Sequence, residues 1–60
     1  MLKVTQAQVD KHMLLNERNN RNAPPVKLDA EIVPAEQAEA IGAWYGSLYI
    51  CILPDGSSHS

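Results

Sequence analysis

Leu48-Tyr49-Ile50-Cys51-Ile52-Leu53 runs six residues without a charged or small polar side chain. Its length and content read as a strand. Apolar side chains on both of its faces ask for cover on both sides, the mark of a strand in the middle of a sheet. Pro54-Asp55-Gly56 follows as a turn signal. Residues 54–60 are expected to fray rather than to return as a hairpin.

Moving toward the N-terminus, Pro34 suits the first position of a helix, and Glu36 and Glu39 favour the positive end of its dipole. That helix is expected over Pro34–Tyr45. It would put Ala35, Ala38, Ile41, Gly42 and Tyr45 on one closely packing face, with Gly46 as its C-cap. Before it, Val26–Ile32 alternates strictly. Val26, Leu28, Ala30 and Ile32 point one way, and Lys27, Asp29 and Glu31 the other, as in a strand with one dry face. Residues 19–25, rich in Asn and ending in Pro24-Pro25, read as a connector. Thr5 with Gln8 three residues on forms a capping box, flanked by Val4 and Val9 as a hydrophobic staple. A helix over Gln6–Arg18 follows, extendable by the Glu17–Arg21 pair. Its apolar residues Val9, Met13, Leu14 and Leu15 spread over several sides instead of forming one stripe. Residues 1–4 are expected to fray.

The expected order is helix-strand-helix-strand in a single small domain over 1–60, an α+β or small α/β fold. A right-handed crossover would make the two strands parallel neighbours. Two strands alone are marginal. The expected solution is a homodimer in which strands of two copies join into one sheet covered by helices. Size argues the same way, since 60 residues with a single cysteine have no internal disulfide and usually need another staple.

Composition excludes several classes. The chain is 45% apolar, too much for a disordered segment, and its net charge of −2 suits neither a strongly basic nucleic-acid binder nor a polyanion mimic. The opening residues lack an apolar h-region, and the longest uncharged stretch is interrupted by glycines. A cytoplasmic protein with no membrane contact is therefore expected. Charge is unevenly divided. Residues 1–27 hold all five bases and two acids, net +3, whereas 28–60 hold five acids and no base, net −5.

Catalysis is not expected, and neither are a metal or a cofactor. Cys51 lies in the most apolar segment and reads as a core thiol. His12 reads as a packing residue beside Val9, and His59 falls in the tail. Two histidines that far apart make no metal signature. Glu36 and Glu39 read as a solvated face. The aromatics Trp44, Tyr45 and Tyr49 are the best anchors for a partner. With Ile41 and Leu48 they make the candidate interface, and Glu31, Glu36 and Glu39 make an acidic rim to steer a basic partner. The expected function is a small regulatory protein that binds itself and another protein, occluding or tethering it. The alternative is a nucleic-acid accessory role for Lys11, Arg18, Arg21 and Lys27, beside the donor-rich segment 16–22. A ribbon-helix-helix DNA binder is excluded, because Asp29 and Glu31 would have to enter the groove beside Lys27.

Overall fold

A computed structural model describes residues 1–21 and 27–60. They form a small α+β fold with one helix and two sheets. The elements are β1 (Leu2–Val4), α1 (Gln6–Asn19), β2 (Ala30–Ile32), a 3₁₀ turn (Ala35–Gln37), β3 (Ile41–Tyr45), β4 (Leu48–Ile52) and β5 (Ser58–His59). β1 and β2 pair in parallel, Leu2 opposite Ala30 and Val4 opposite Ile32. The second sheet is antiparallel in the order β3-β4-β5.

The first helix begins where the capping box puts it. The Thr5 side chain accepts from the Gln8 N–H at 3.2 Å, and Gln8 Oε1 accepts from the Thr5 N–H at 2.8 Å. The helix closes with the Asn20 N–H donating to Asn16 O at 3.0 Å. Most of the expected connector, residues 22–25, lies outside the described residues.

The expected helix over Pro34–Tyr45 is corrected. Only the 3₁₀ turn is helical there, and Ile41–Tyr45 is a strand. Ile41, Ala43 and Tyr45 point inward while Gly42 and Trp44 point out, a period of two that the small residues 35–40 disguised as a helical face. Gly46 does carry a left-handed backbone, φ 64°, but as the first residue of a two-residue hairpin loop, not as a helix cap. β4 is the central strand of its sheet, but the cover expected on both of its faces is present on one only, since Tyr49 on the other is 51% exposed. The neighbours of β4, β3 and β5, both come from the same chain, so the edge expected to meet a second copy is taken along Cys51 and Ile52.

Both expected frayed ends carry strands. The Leu2 N–H donates to Asp29 O at 3.0 Å and the Val33 N–H to Val4 O at 2.8 Å, on one side of β1; on the other the Glu39 N–H reaches Lys3 O at 2.8 Å. At the far end, β5 returns because Asp55 ties the turn. Its Oδ1 accepts from the Ser57 N–H at 2.9 Å and the Ser57 hydroxyl at 2.7 Å. Of the strand expected over 26–32, Val26 lies outside the described residues; the described part is laddered only at Ala30–Ile32, and Ile32 is exposed rather than dry.

Val4, Ile41, Tyr45, Ile50 and Ile52 form the core, with Leu2, Val9, Leu15, Leu28, Ala30 and Ala43 packed around it. What α1 lays on the hairpin is a polar ladder at every fourth residue. Gln8 is fully buried and donates from Nε2 to Glu39 O at 2.6 Å and Ile52 O at 3.0 Å. His12 Nδ1 bonds the Tyr45 hydroxyl, and Asn16 Nδ2 approaches His12 Nε2 at 3.2 Å. Asn20 donates to Asn16 Oδ1 at 2.9 Å and accepts the Gly46 N–H at 2.8 Å.

Gln8→Leu leaves two carbonyls and the Thr5 N–H short of partners. At about 1–3 kcal/mol for each buried group left unsatisfied, and with partial relaxation, a loss of about 2–4 kcal/mol in urea unfolding is expected. A change below about 0.5 kcal/mol would show that water replaces the amide at no cost. Gly46→Ala places a Cβ 2.8 Å from Asn19 O at a left-handed φ, and is expected to cost about 1–3 kcal/mol in the same measurement.

Candidate functional site

Strand parity sorts the hairpin residues into two populations. The cross-strand pairs Ile41–Ile52, Ala43–Ile50 and Tyr45–Leu48 face α1, while Trp44–Tyr49 and Gly42–Cys51 face away. On that outer face Trp44 is 62% and Tyr49 51% exposed, although both are large aromatics. Their rings meet edge to face, with centroids 5.4 Å apart and planes at 68°. Tyr49 lies diagonally across Gly42, where any Cβ would collide with its hydroxyl. The missing side chain is what lets the tyrosine lie flat over β3. Leu48, paired with Tyr45 on the face toward α1, is 53% exposed at the turn and does not belong to the outer face.

The five residues expected as one interface are therefore split. Trp44 and Tyr49 are accessible on the outer face, Ile41 and Tyr45 belong to the core on the opposite face, and Leu48 shares that opposite face but is exposed at the turn. Cys51, expected in the core, sits half-buried on the outer face, and its register partner across β4–β5 is His59. Neither the pairing nor the shared face was visible in the sequence, because it depends on β5 returning. The signal that would have found it is Pro54-Asp55-Gly56 followed by two serines, an Asx turn with a strand behind it.

The charged candidates lie elsewhere. Glu31 is on β2, Glu36 in the 3₁₀ turn, and Glu39 beside β1, where its carboxylate accepts from the Lys3 backbone N–H at 3.4 Å. All three are exposed, on elements other than the aromatic strands. Lys11 and Arg18 project from α1, Arg21 follows it, and Lys27 precedes β2. No aromatic of the outer face belongs to those elements. A second apolar surface appears on α1, where Met13 and Leu14 are 63% and 43% exposed because the polar ladder takes the inward side.

Two groups carry shifted ionisation. Burial pushes the Tyr45 phenol above its ordinary range, and the Ser57 hydroxyl and N–H hold the Asp55 carboxyl below its own. The described residues enclose no pocket, and no helix among them is long and apolar enough to cross a membrane. No protein-family model matches the chain, and no curated protein or solved structure does either.

Because the folded Tyr45 holds its proton to higher pH than the unfolded phenol at about 10, the unfolded state deprotonates first and stability falls as pH rises past that value. Tyr45→Phe is expected to start less stable at neutral pH, having lost its bond to His12, and then to lose less than wild type between about pH 9 and 11. Equal alkaline losses in the two proteins, read by urea unfolding, would contradict this account.

Proposed function

We propose that the chain is a small, non-enzymatic interaction protein whose docking surface is the outer face of the β3–β4–β5 sheet. Its first occupant is a second copy of itself. The observation that carries this reading is the exposure of Trp44 and Tyr49 side by side on a rigid hairpin. Aromatic pairs of this kind, amphipathic and low in conformational entropy, are what interfaces bury at their centres.

A second copy suits this surface for two reasons. The face carries Gly42, Trp44, Tyr49, Cys51 and His59 and no Asp, Glu, Lys or Arg, so two chains of net charge −2 meet there with the least repulsion. The core beneath it is also small: among the described residues five apolar side chains are buried against eight large ones left exposed. Covering one sheet face with its equivalent adds the second layer that small domains otherwise lack.

In this arrangement the homodimer joins face to face rather than through the edge of β4. Glu31, Glu36 and Glu39 remain outside the contact and free to steer a basic protein partner, which the dimer would occlude or tether. A cytoplasmic setting and a regulatory role follow as parts of the same proposal. The bases on and after α1 offer phosphate contacts, but nothing in their placement joins them to the aromatic pair, so the nucleic-acid reading stays second.

Sedimentation over a dilution series tests the docking surface. Wild type is expected to associate as concentration rises. The double variant Trp44→Ser, Tyr49→Ser is expected to stay monomeric, with its unfolding free energy lowered by no more than about 1 kcal/mol, the scale of the lost ring pair. A wild type that stays monomeric throughout, or a double variant that associates equally well, would sink the proposal.

A further inference from the structure

We infer that Cys51 and His59 form one half of a transition-metal site, a thiolate and an imidazole that a second copy of the chain completes to a tetrahedral set. The inference rests on the docking surface proposed above, because it needs two outer faces to meet. Cys51 and His59 are direct register partners on neighbouring antiparallel strands. Side chains so placed share a face, with Cβ atoms about 4.5–5.5 Å apart, a separation from which sulfur and nitrogen can both reach one ion at about 2.0–2.3 Å.

The pair is held in place. Asp55 ties the turn through Ser57, the Leu53 N–H donates to Ser57 O at 2.8 Å, and the Gly56 N–H donates to Leu53 O at 2.8 Å. The turn is docked in turn on the start of α1, where the Thr5 hydroxyl donates to Pro54 O at 2.6 Å. His59 is thus fixed opposite Cys51 by the same contacts that position the helix. Both ligands are reachable, Cys51 half-buried and His59 exposed.

One chain supplies only this pair. Among the described residues no group of three or more His, Cys, Asp or Glu is placed to hold a metal. Two protein ligands leave two positions open on a tetrahedral ion. A second outer face carries the same two ligand types, and the set becomes two thiolates and two imidazoles, one of the donor sets that hold zinc in structural sites. The energetics point the same way. β3 and β4, five residues long and about 4.8 Å apart, with the two-residue β5 beside them, present a face of at most roughly 17 by 14 Å. That is well short of the about 800 Å² per partner that a standard interface buries. Aromatic contact alone gives a weak pair, and a bridging ion supplies what the small area lacks.

The test titrates Co²⁺ into reduced, tag-free protein while recording absorption and sedimentation, with Zn²⁺ displacing the cobalt at the end. The expected result is thiolate-to-cobalt charge transfer with tetrahedral d–d bands, saturating at one ion per two chains as the dimer forms. Cys51→Ser and His59→Ala are each expected to abolish both signals while leaving the helical circular-dichroism spectrum unchanged. Absence of the tetrahedral spectrum, saturation at one ion per chain, or a normal spectrum in His59→Ala would overturn the site. Metal-free association that depends on Trp44 and Tyr49 but is unmoved by cobalt would sink the metal site alone. A normal cobalt dimer from a protein that shows no metal-free association would sink the aromatic docking reading alone.

Discussion

Everything else in this fold hangs on the side chain of Gln8. It is fully buried, and each of its polar atoms is used: the carbonyl holds the Thr5 N–H, and the amide holds the carbonyls of Glu39 and Ile52. One residue therefore caps the helix and clamps together the segments entering β3 and leaving β4. In a dry site such bonds gain strength, and every one of them is costly to leave unmade. Thr5 adds a bond from its hydroxyl to Pro54 O. The start of the helix is thereby tied to both ends of the β3–β4 hairpin and to the turn that returns β5.

That constraint also sets the rotational phase of α1. Once the third helical residue faces the sheet, the residues four, eight and twelve further on follow it inward, and these are His12, Asn16 and Asn20. The helix meets the hairpin with polar groups that reach Tyr45 and Gly46. Met13 and Leu14 are turned outward as a consequence. A short chain has few ways to specify one docking angle for a helix on a sheet. A ladder of directional bonds does so more sharply than a smooth apolar stripe, which tolerates sliding.

The proposed docking surface lies on the opposite side of the same sheet. α1 covers one face of β3–β4, and strand alternation sends Trp44, Tyr49 and Cys51 to the other. Gly42 makes room for Tyr49 to lie across β3, and the Asp55–Ser57 turn brings His59 beside Cys51. The exposed aromatic pair and the Cys51–His59 pair are thus displayed on one sheet face, and the described residues enclose no pocket.

The sequence alone was enough to determine those elements whose causes are local. The capping box of Thr5 and Gln8 started the helix where it was expected, and the uninterrupted run from Leu48 marked a central strand. Gly46 was read as a helix C-cap and is a hairpin-loop residue instead; both uses need a left-handed backbone, and the Gly-Ser pair between two apolar runs was the clue to the loop. Residues 34–45 misled because alanines suit a helix, whereas Ile41–Tyr45 is a strand by virtue of pairing with Leu48–Ile52, a partner that lies outside any local window. Strand β1, the return of β5, the burial of Gln8 and the meeting of Cys51 with His59 were decided only by tertiary structure. Each depends on a hydrogen-bonding partner distant along the chain or on the face its neighbours leave open, and neither is encoded in the identities of adjacent residues.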